Sequence, residues 1–399
     1  MNFRLRSAYF ALSVLPLSAG ENLPVNDHSS KETIDLIAAP KPTSEWNFGF
    51  GLAGKKIGRI DFDTRSTTLT APRVFGSNSF TTPDRVGPSS GPFSRDYDNG
   101  FVHPGSRTPA TGRTSNYGYD TTDQIGTDRL SFYADGGERR VITTSNSLNS
   151  TGWDEEDEWN LAPYLYLNRL CDLGNGWRVG PTIQVSFTDF DGKKGGLNTL
   201  NASERRDIFD VRTIDLYDST GLTLPEPPPG QPFVGSPGAV APLLPAEPVD
   251  RNFIDTPRSD DTALFADSIQ EDLEVNMLGV SIGADAFYQS DNNLITGIGA
   301  GLVVNIVDWD ANRRDRLVQI TNGGPPLEVG AADYSNSGTD VLFGIYLQGT
   351  LGYQINDDWS VEGNIRYDWS ESLNDSVGGS DFDVDLSGFS LGLGATYSF

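Results

Sequence analysis

No stretch of this chain holds eighteen consecutive apolar residues, the length a helix needs to cross a bilayer. Segment after segment instead alternates apolar with polar side chains, and a period of two belongs to β-strands whose faces differ. The cleanest segment sets Trp359, Val361, Gly363, Ile365, Tyr367 and Trp369 against Ser360, Glu362, Asn364, Arg366, Asp368 and Ser370. A second sets Trp177, Val179, Pro181, Ile183, Val185 and Phe187 against Arg178, Gly180, Thr182, Gln184, Ser186 and Thr188. The chain closes on a third, with Phe389, Leu391, Leu393, Ala395, Tyr397 and Phe399 on one face. Five weaker segments follow the same rule: Trp46 to Leu52, Trp159 to Leu167, Leu278 to Tyr288, Leu294 to Ile306 and Val341 to Tyr353.

A strand of about ten residues rises about 33 Å and, tilted by roughly 45°, spans the apolar height of an outer membrane. Aromatic residues at the strand ends suit the two membrane interfaces. Short connections, at 168–177, 289–293 and 354–359, alternate with long polar stretches at 63–156, 192–272, 310–340 and 372–382. The expected fold is therefore all-β: a closed antiparallel transmembrane β-barrel over 45–399, with eight strands and long extracellular loops. A hairpin signal at Asp135-Gly136-Gly137, between Arg129–Ala134 and Glu138–Thr144, would raise the count to ten. Its lipid face would be only Leu130, Phe132 and Ala134, with Arg139 on the return, which leaves it outside. A soluble sandwich also alternates, but it requires neither aromatics at strand ends nor alternating connection lengths.

With these features the chain resembles bacterial outer-membrane β-barrels, most nearly the eight-stranded outer-membrane protein A-like barrels. The carriers are the alternating last strand ending Tyr397-Ser398-Phe399 and the short/long loop alternation. The resemblance implies residence in the outer membrane of a Gram-negative-type bacterium, with Tyr397 and Phe399 as the signal read by the barrel-assembly machinery. It also implies contact with outer-membrane lipid and lipopolysaccharide. Arg4 and Arg6, the apolar run Ala8–Leu17 and the small residues Ser18, Ala19 and Gly20 read as a signal peptide over 1–20. Residues 21–44 then form a periplasmic tail.

The charge balance, 29 Lys+Arg against 55 Asp+Glu for a net of −26, excludes nucleic acid as a partner, because a phosphate backbone is bound by clustered cations. Cys171 is the single cysteine and His28 and His103 the only histidines, so neither a metal nor a cofactor is expected. Acidic clusters at 154–158, Asp260-Asp261 and Glu271-Asp272 read as solvated rim charges, with calcium as the alternative. The proline-dense stretch Pro225 to Pro248 reads as a flexible spacer or cover.

Inward-facing charges are expected at Lys55, Arg59, Asp61, Arg178, Asp285, Glu362, Arg366 and Asp368. Both signs are present, and eight strands enclose an interior that side chains fill, so the expected lumen is plugged. The expected role is that of a structural or surface-binding envelope protein, not an enzyme, whose loops meet lipopolysaccharide or a surface ligand. A narrow porin-like channel is the alternative. A hydrolase or acyltransferase built on His103 with Asp96, Asp98 and Ser106 is a minor one.

Overall fold

Eight segments rich in alternating aromatic and β-branched residues pair into a closed ring in the computed structural model, which describes residues 44–105, 111–156, 159–236 and 241–399. The expected leader and the tail up to residue 43 lie outside the described residues. The ring strands are β1 (Ser44–Ile57), β2 (Asn160–Gly174), β3 (Trp177–Leu197) and β4 (Asp250–Gln289). They continue with β5 (Leu294–Thr321), β6 (Leu327–Gln354), β7 (Trp359–Ser370) and β8 (Gly388–Ser398). Each pairs antiparallel with the next, and β8 returns to β1. Phe399 N donates to Trp46 O at 2.9 Å and Trp46 N to Phe399 O at 3.1 Å, which fastens the C-terminus into the closure. At one end the turns are tight. Asn175 and Asn293 adopt φ of 56° and 64°, and Asn356 Oδ1 accepts from the Asp358 and Trp359 amides.

At the other end β3 to β6 do not stop where apolar outward residues stop. β4 runs for 40 residues and β5 and β6 for 28 each, so much of what reads as outer loop in 192–272 and 310–340 is strand. Along β4 Gly279, Ser281, Gly283 and Asp285 lie on the inward face while Leu278, Val280, Ile282 and Tyr288 lie on the outward one. Above Leu278 the same inward face becomes Met277, Val275 and Leu273, all buried, and the outward face becomes Asn276, Glu274 and Asp272. β5 exchanges its faces at the same height, from outward Ile306 to outward Asp308, with Val307 and Trp309 buried. β3 does so between Phe187 and Asp189, with Phe190 buried. The strand phase never changes; the chemistry on each face is inverted.

The other half of the outer storey is a four-stranded flap, in the order 373–377, 380–384, 59–64, 151–156. These strands continue β7, β8, β1 and β2 in the order those stand in the ring. The flap bends over the ring's mouth and packs Ile60, Phe62, Trp153, Leu373, Phe382 and Val384 against Phe190, Leu273, Val275, Met277, Val307 and Trp309. Phe62 stacks on Trp153 at 4.6 Å and Trp309 meets Phe382 edge-on at 5.3 Å. Burying each such side chain contributes about 1.5–3 kcal/mol, so this core holds the flap to the wall.

Beyond it, Leu200–Asp218 pairs with the upper run of β4 on one side and with Arg129–Leu148 on the other, forming a ribbon. The hairpin expected at Asp135-Gly136-Gly137 is one continuous strand: the register shifts opposite Val211/Thr213, and Gly136 at φ 108° absorbs a bulge instead of a turn. A small head packs Tyr97, Val102, Tyr117, Tyr119 and Leu244 against Leu130, Phe132 and Tyr217 of the ribbon. The proline-dense stretch, expected to be flexible, is tied down where it is described. Tyr119 donates to Pro225 O and Tyr117 to Pro242 O, the latter at 2.9 Å, and Leu244 is fully buried.

Candidate functional site

Within the ring's lower half inward side chains meet across the interior. Lys55 Nζ lies 3.1 Å from Asp368 Oδ2 and Arg366 Nε 2.7 Å from Asp368 Oδ1, and the Arg366 guanidinium lies 4.0 Å from the Tyr346 ring centroid. Arg366 also donates to Gln184 Oε1 at 3.3 Å, so the cluster reaches from β1 across to β3. Toward the tight-turn end, Tyr166 donates to Glu362 at 2.7 Å, Asn364 to the Tyr164 hydroxyl at 2.8 Å and Asn47 to Asn168 at 2.7 Å. Asp285 is buried and bonded to Thr182 and Asn168. A gap of about 30 Å³ remains among Asn47, Tyr166, Glu362 and Thr396, room for about two waters. Lys55, Arg366 and Asp368 are tolerated out of water because they are paired and hydrogen-bonded, whereas Glu362 and Asp285 are held by hydrogen bonds from neutral side chains.

Glycine makes room for the aromatics. A Cβ at Gly49 would overlap the Tyr166 ring and one at Gly297 the Phe287 ring.

Of the eight residues expected to face the lumen, Lys55, Asp285, Glu362, Arg366 and Asp368 are placed inside the ring, and Arg178 at its tight-turn rim. There Arg178 Nη2 meets Gln289 Oε1 at 2.6 Å and Nη1 meets Glu45 at 3.4 Å. Arg59 and Asp61 are corrections. They sit on the flap, paired with each other at 2.9 Å and about half exposed. Counting by twos from Lys55 assigns them inward, but β1 ends at Ile57 and the chain shifts by one at Gly58, so that Ile60, Phe62 and Thr64 face in. Gly58 allows the shift because a Cβ there would stand 2.5 Å from Asp385 Oδ2. Tyr397 points outward in contact with Trp359 at 5.2 Å, and Phe399 ends the same face.

The outer storey carries a polar layer that sequence reasoning did not find. Glu271 Oε2, fully buried, accepts from Trp153 Nε1 and Thr64 Oγ1, both at 2.7 Å, tying flap to wall. Arg313 grips Asp315 at 2.7 and 2.9 Å and reaches Ser380 Oγ at 2.6 Å. Glu271 thus belongs to an interior latch, not a solvated rim, while Asp261 is held by Arg206 and Asn322. Of the 154–158 cluster, Asp154 and Glu155 lie on a flap strand and Asp157 and Glu158 outside the described residues. Asp383 stands opposite Asp61 across the flap, and burial together with the Asp385 and Asp61 charges holds its carboxyl above the usual range.

The ribbon is laced by ion pairs: Arg212 with Asp135 at 2.7 Å, Arg258 with Asp210 at 2.9 Å and with Glu138, and Arg140 with Glu138 at 2.5 Å. Hydrogen bonds from Arg212 to Asp135, and from Arg258 and Arg140 to Glu138, hold both carboxyls below their ordinary range. In the head, burial pushes the Tyr119 hydroxyl up to about 12, and that of Tyr97 higher still beside Tyr217 and Asp215.

His103 Nε2 lies 2.7 Å from Asp96 Oδ1 on the exposed head, and Ser106 lies outside the described residues. Gly87-Pro88-Ser89-Ser90-Gly91 has the spacing of a nucleophile elbow. It is an irregular loop with Ser89 exposed, not a strand-to-helix turn, and Arg95 pins it through the Pro88 and Gly91 carbonyls at 2.8 and 2.9 Å. Among the described residues no group of three or more His, Cys, Asp or Glu side chains could hold a metal.

No protein-family model matches the chain, and no curated protein does. Among solved structures it is similar to the outer membrane protein OprG from Pseudomonas aeruginosa, at 8% identity, covering 88% of this chain and 95% of that one with a TM-score of 0.26. It is also similar to a FadL homologue of Pseudomonas aeruginosa, at 10% identity over 89% and 90% of the two chains with a TM-score of 0.18. A third is the toluene transporter TodX of Pseudomonas putida, at 7% identity over 90% of each chain with a TM-score of 0.15.

Proposed function

We propose that the chain is an eight-stranded barrel of a bacterial outer membrane, closed to solute flow, that carries a surface-binding head and ribbon outside the cell. The observation that carries this reading is the exchange of faces at one height on β3, β4 and β5. Below it the ring turns Leu302, Ile282 and Leu393 outward, 65%, 61% and 75% exposed, around a polar interior. Only a surrounding apolar solvent stabilises that arrangement, and water does not. Above it the exterior is polar and the core apolar, as in a water-soluble protein. The outward run from Leu278 to Tyr288 on β4, inclined as barrel strands are, gives a belt of roughly 25 Å. Trp46, Trp177, Tyr288, Tyr353, Trp359 and Tyr397 gird its tight-turn edge and Trp159, Phe343, Trp369 and Phe389 the other.

The flap core and the Lys55–Asp368–Arg366 cluster block the path in series, which supports a plugged lumen over a porin-like one. The role is then played by what the ring holds outside the membrane, with lipopolysaccharide or a surface ligand as partner. Tyr397 and Phe399, outward on the closing strand, suit recognition by the barrel-assembly machinery. Planar-bilayer recording tests the plug: the purified protein gives no steady unitary openings, and reproducible openings would contradict it.

A further inference from the structure

Within the belt the β2–β3 ladder is interrupted twice, each time at a proline: it has no rungs at Arg169–Pro181 and Leu170–Gly180, and it ends at a seam beside Pro163. The β1–β2 ladder runs past Pro163 to Asn160, whereas the β2–β3 ladder ends at Tyr164–Ser186, one residue short of that proline. Proline has no amide to donate, and among the described residues β3 is laddered from Phe187 upward with β4 alone. The rungs that would join Pro163 to Phe187 and Ala162 to Thr188 are missing while Leu161, Pro163 and Phe187 still face outward. Backbone groups left open to hydrocarbon need a polar partner. Across the same place runs an apolar trough of about 940 Å³ lined by Phe50, Leu52, Pro163, Leu165, Val185 and Ala395. Immediately above the seam β3 turns Asp189 and Asp191 outward, both exposed.

We infer that this seam is a specific site for one acyl lipid with an amine-bearing head group, an inference that rests on the membrane reading above. The chain lies in the trough, the interfacial ester or amide group meets the unpaired strand backbone, and the ammonium faces Asp189 and Asp191, which repel an anionic head. The shortness of Ala395 leaves the trough open, so Ala395→Phe fills it without touching the lumen. Leu302→Phe, on the outward face of β5, alters the belt elsewhere.

Native mass spectrometry after detergent exchange, on protein reconstituted with equal phosphatidylethanolamine and phosphatidylglycerol of matched chains, reads the site. Wild type and Leu302→Phe retain one phosphatidylethanolamine; Ala395→Phe retains at least tenfold less. No retained lipid, equal retention of the two lipids or unchanged retention by Ala395→Phe overturns the site. Each preparation is also run boiled and unboiled on a detergent gel. A heat-dependent shift without retained lipid overturns the site alone, whereas absence of the shift in wild type overturns the barrel reading beneath it.

Discussion

Asp368 decides the charge balance of the lumen. It is the carboxylate between Lys55 and Arg366, so Asp368→Ala leaves two buried cations facing one another, a loss of about 3–5 kcal/mol when one partner of a buried pair is removed. Thermal unfolding in detergent should show it as a large drop in midpoint, and an unchanged midpoint would mean that the cluster is hydrated and open. Gly49 makes a complementary test. A side chain there meets the Tyr166 ring, so Gly49→Val should cost about 1–3 kcal/mol through overpacking. Gly363→Val, whose Cβ would stand 3.5 Å from Leu393 on the outward face, should cost much less by the same measurement. Residue-level placement was legible in the sequence wherever the strand phase held, as from Glu362 to Asp368. It failed at Arg59 and Asp61 because a one-residue shift at Gly58 reverses every later side chain, and a glycine in a polar run carries no mark of such a shift.

Among the elements, the ribbon and the ring are held by different forces and should part under acid. Asp135, Glu138 and Asp261 have carboxyls held low by arginine, so the stability they add is present above the ordinary carboxylate range and is lost as pH falls through their depressed values. Asp135 is exposed and Glu138 and Asp261 are partly so, and at such sites solvent and salt screen the interaction. Limited proteolysis should therefore cut the ribbon below about pH 4, and sooner in high salt, while the ring resists. Loss of both together would show the ribbon to be packed more firmly than its ion pairs imply. The strands themselves were readable where outward residues are apolar. Above the exchange of faces, Glu274, Asn276, Asp308 and Asp310 carry polar chemistry on the phase that is apolar below, and a pattern expecting one apolar face reads them as loop. Conversely Asp135-Gly136-Gly137 has turn composition, but pairing with Val211 and Thr213 on the neighbouring strand overrides it.

At the scale of the whole molecule, one ring serves two solvents. Its lower storey is stabilised by turning polar groups inward among themselves, its upper storey by an apolar core between wall and flap. The flap's strands come from residues 59–64, 151–156 and 373–384, so that core depends on contacts between distant parts of the chain that no local pattern announces. Spin labels at single cysteines, introduced on a Cys171→Ser background in lipid vesicles, measure directly where the solvent changes. Labels at Ile282, Leu302 and Ile345 should be accessible to oxygen and shielded from a water-soluble nickel reagent, and labels at Glu274, Asp310 and Ser337 on the same outward faces should show the reverse. Nickel access at Ile282, Leu302 and Ile345 in the vesicle-bound protein would contradict a lipid-covered belt.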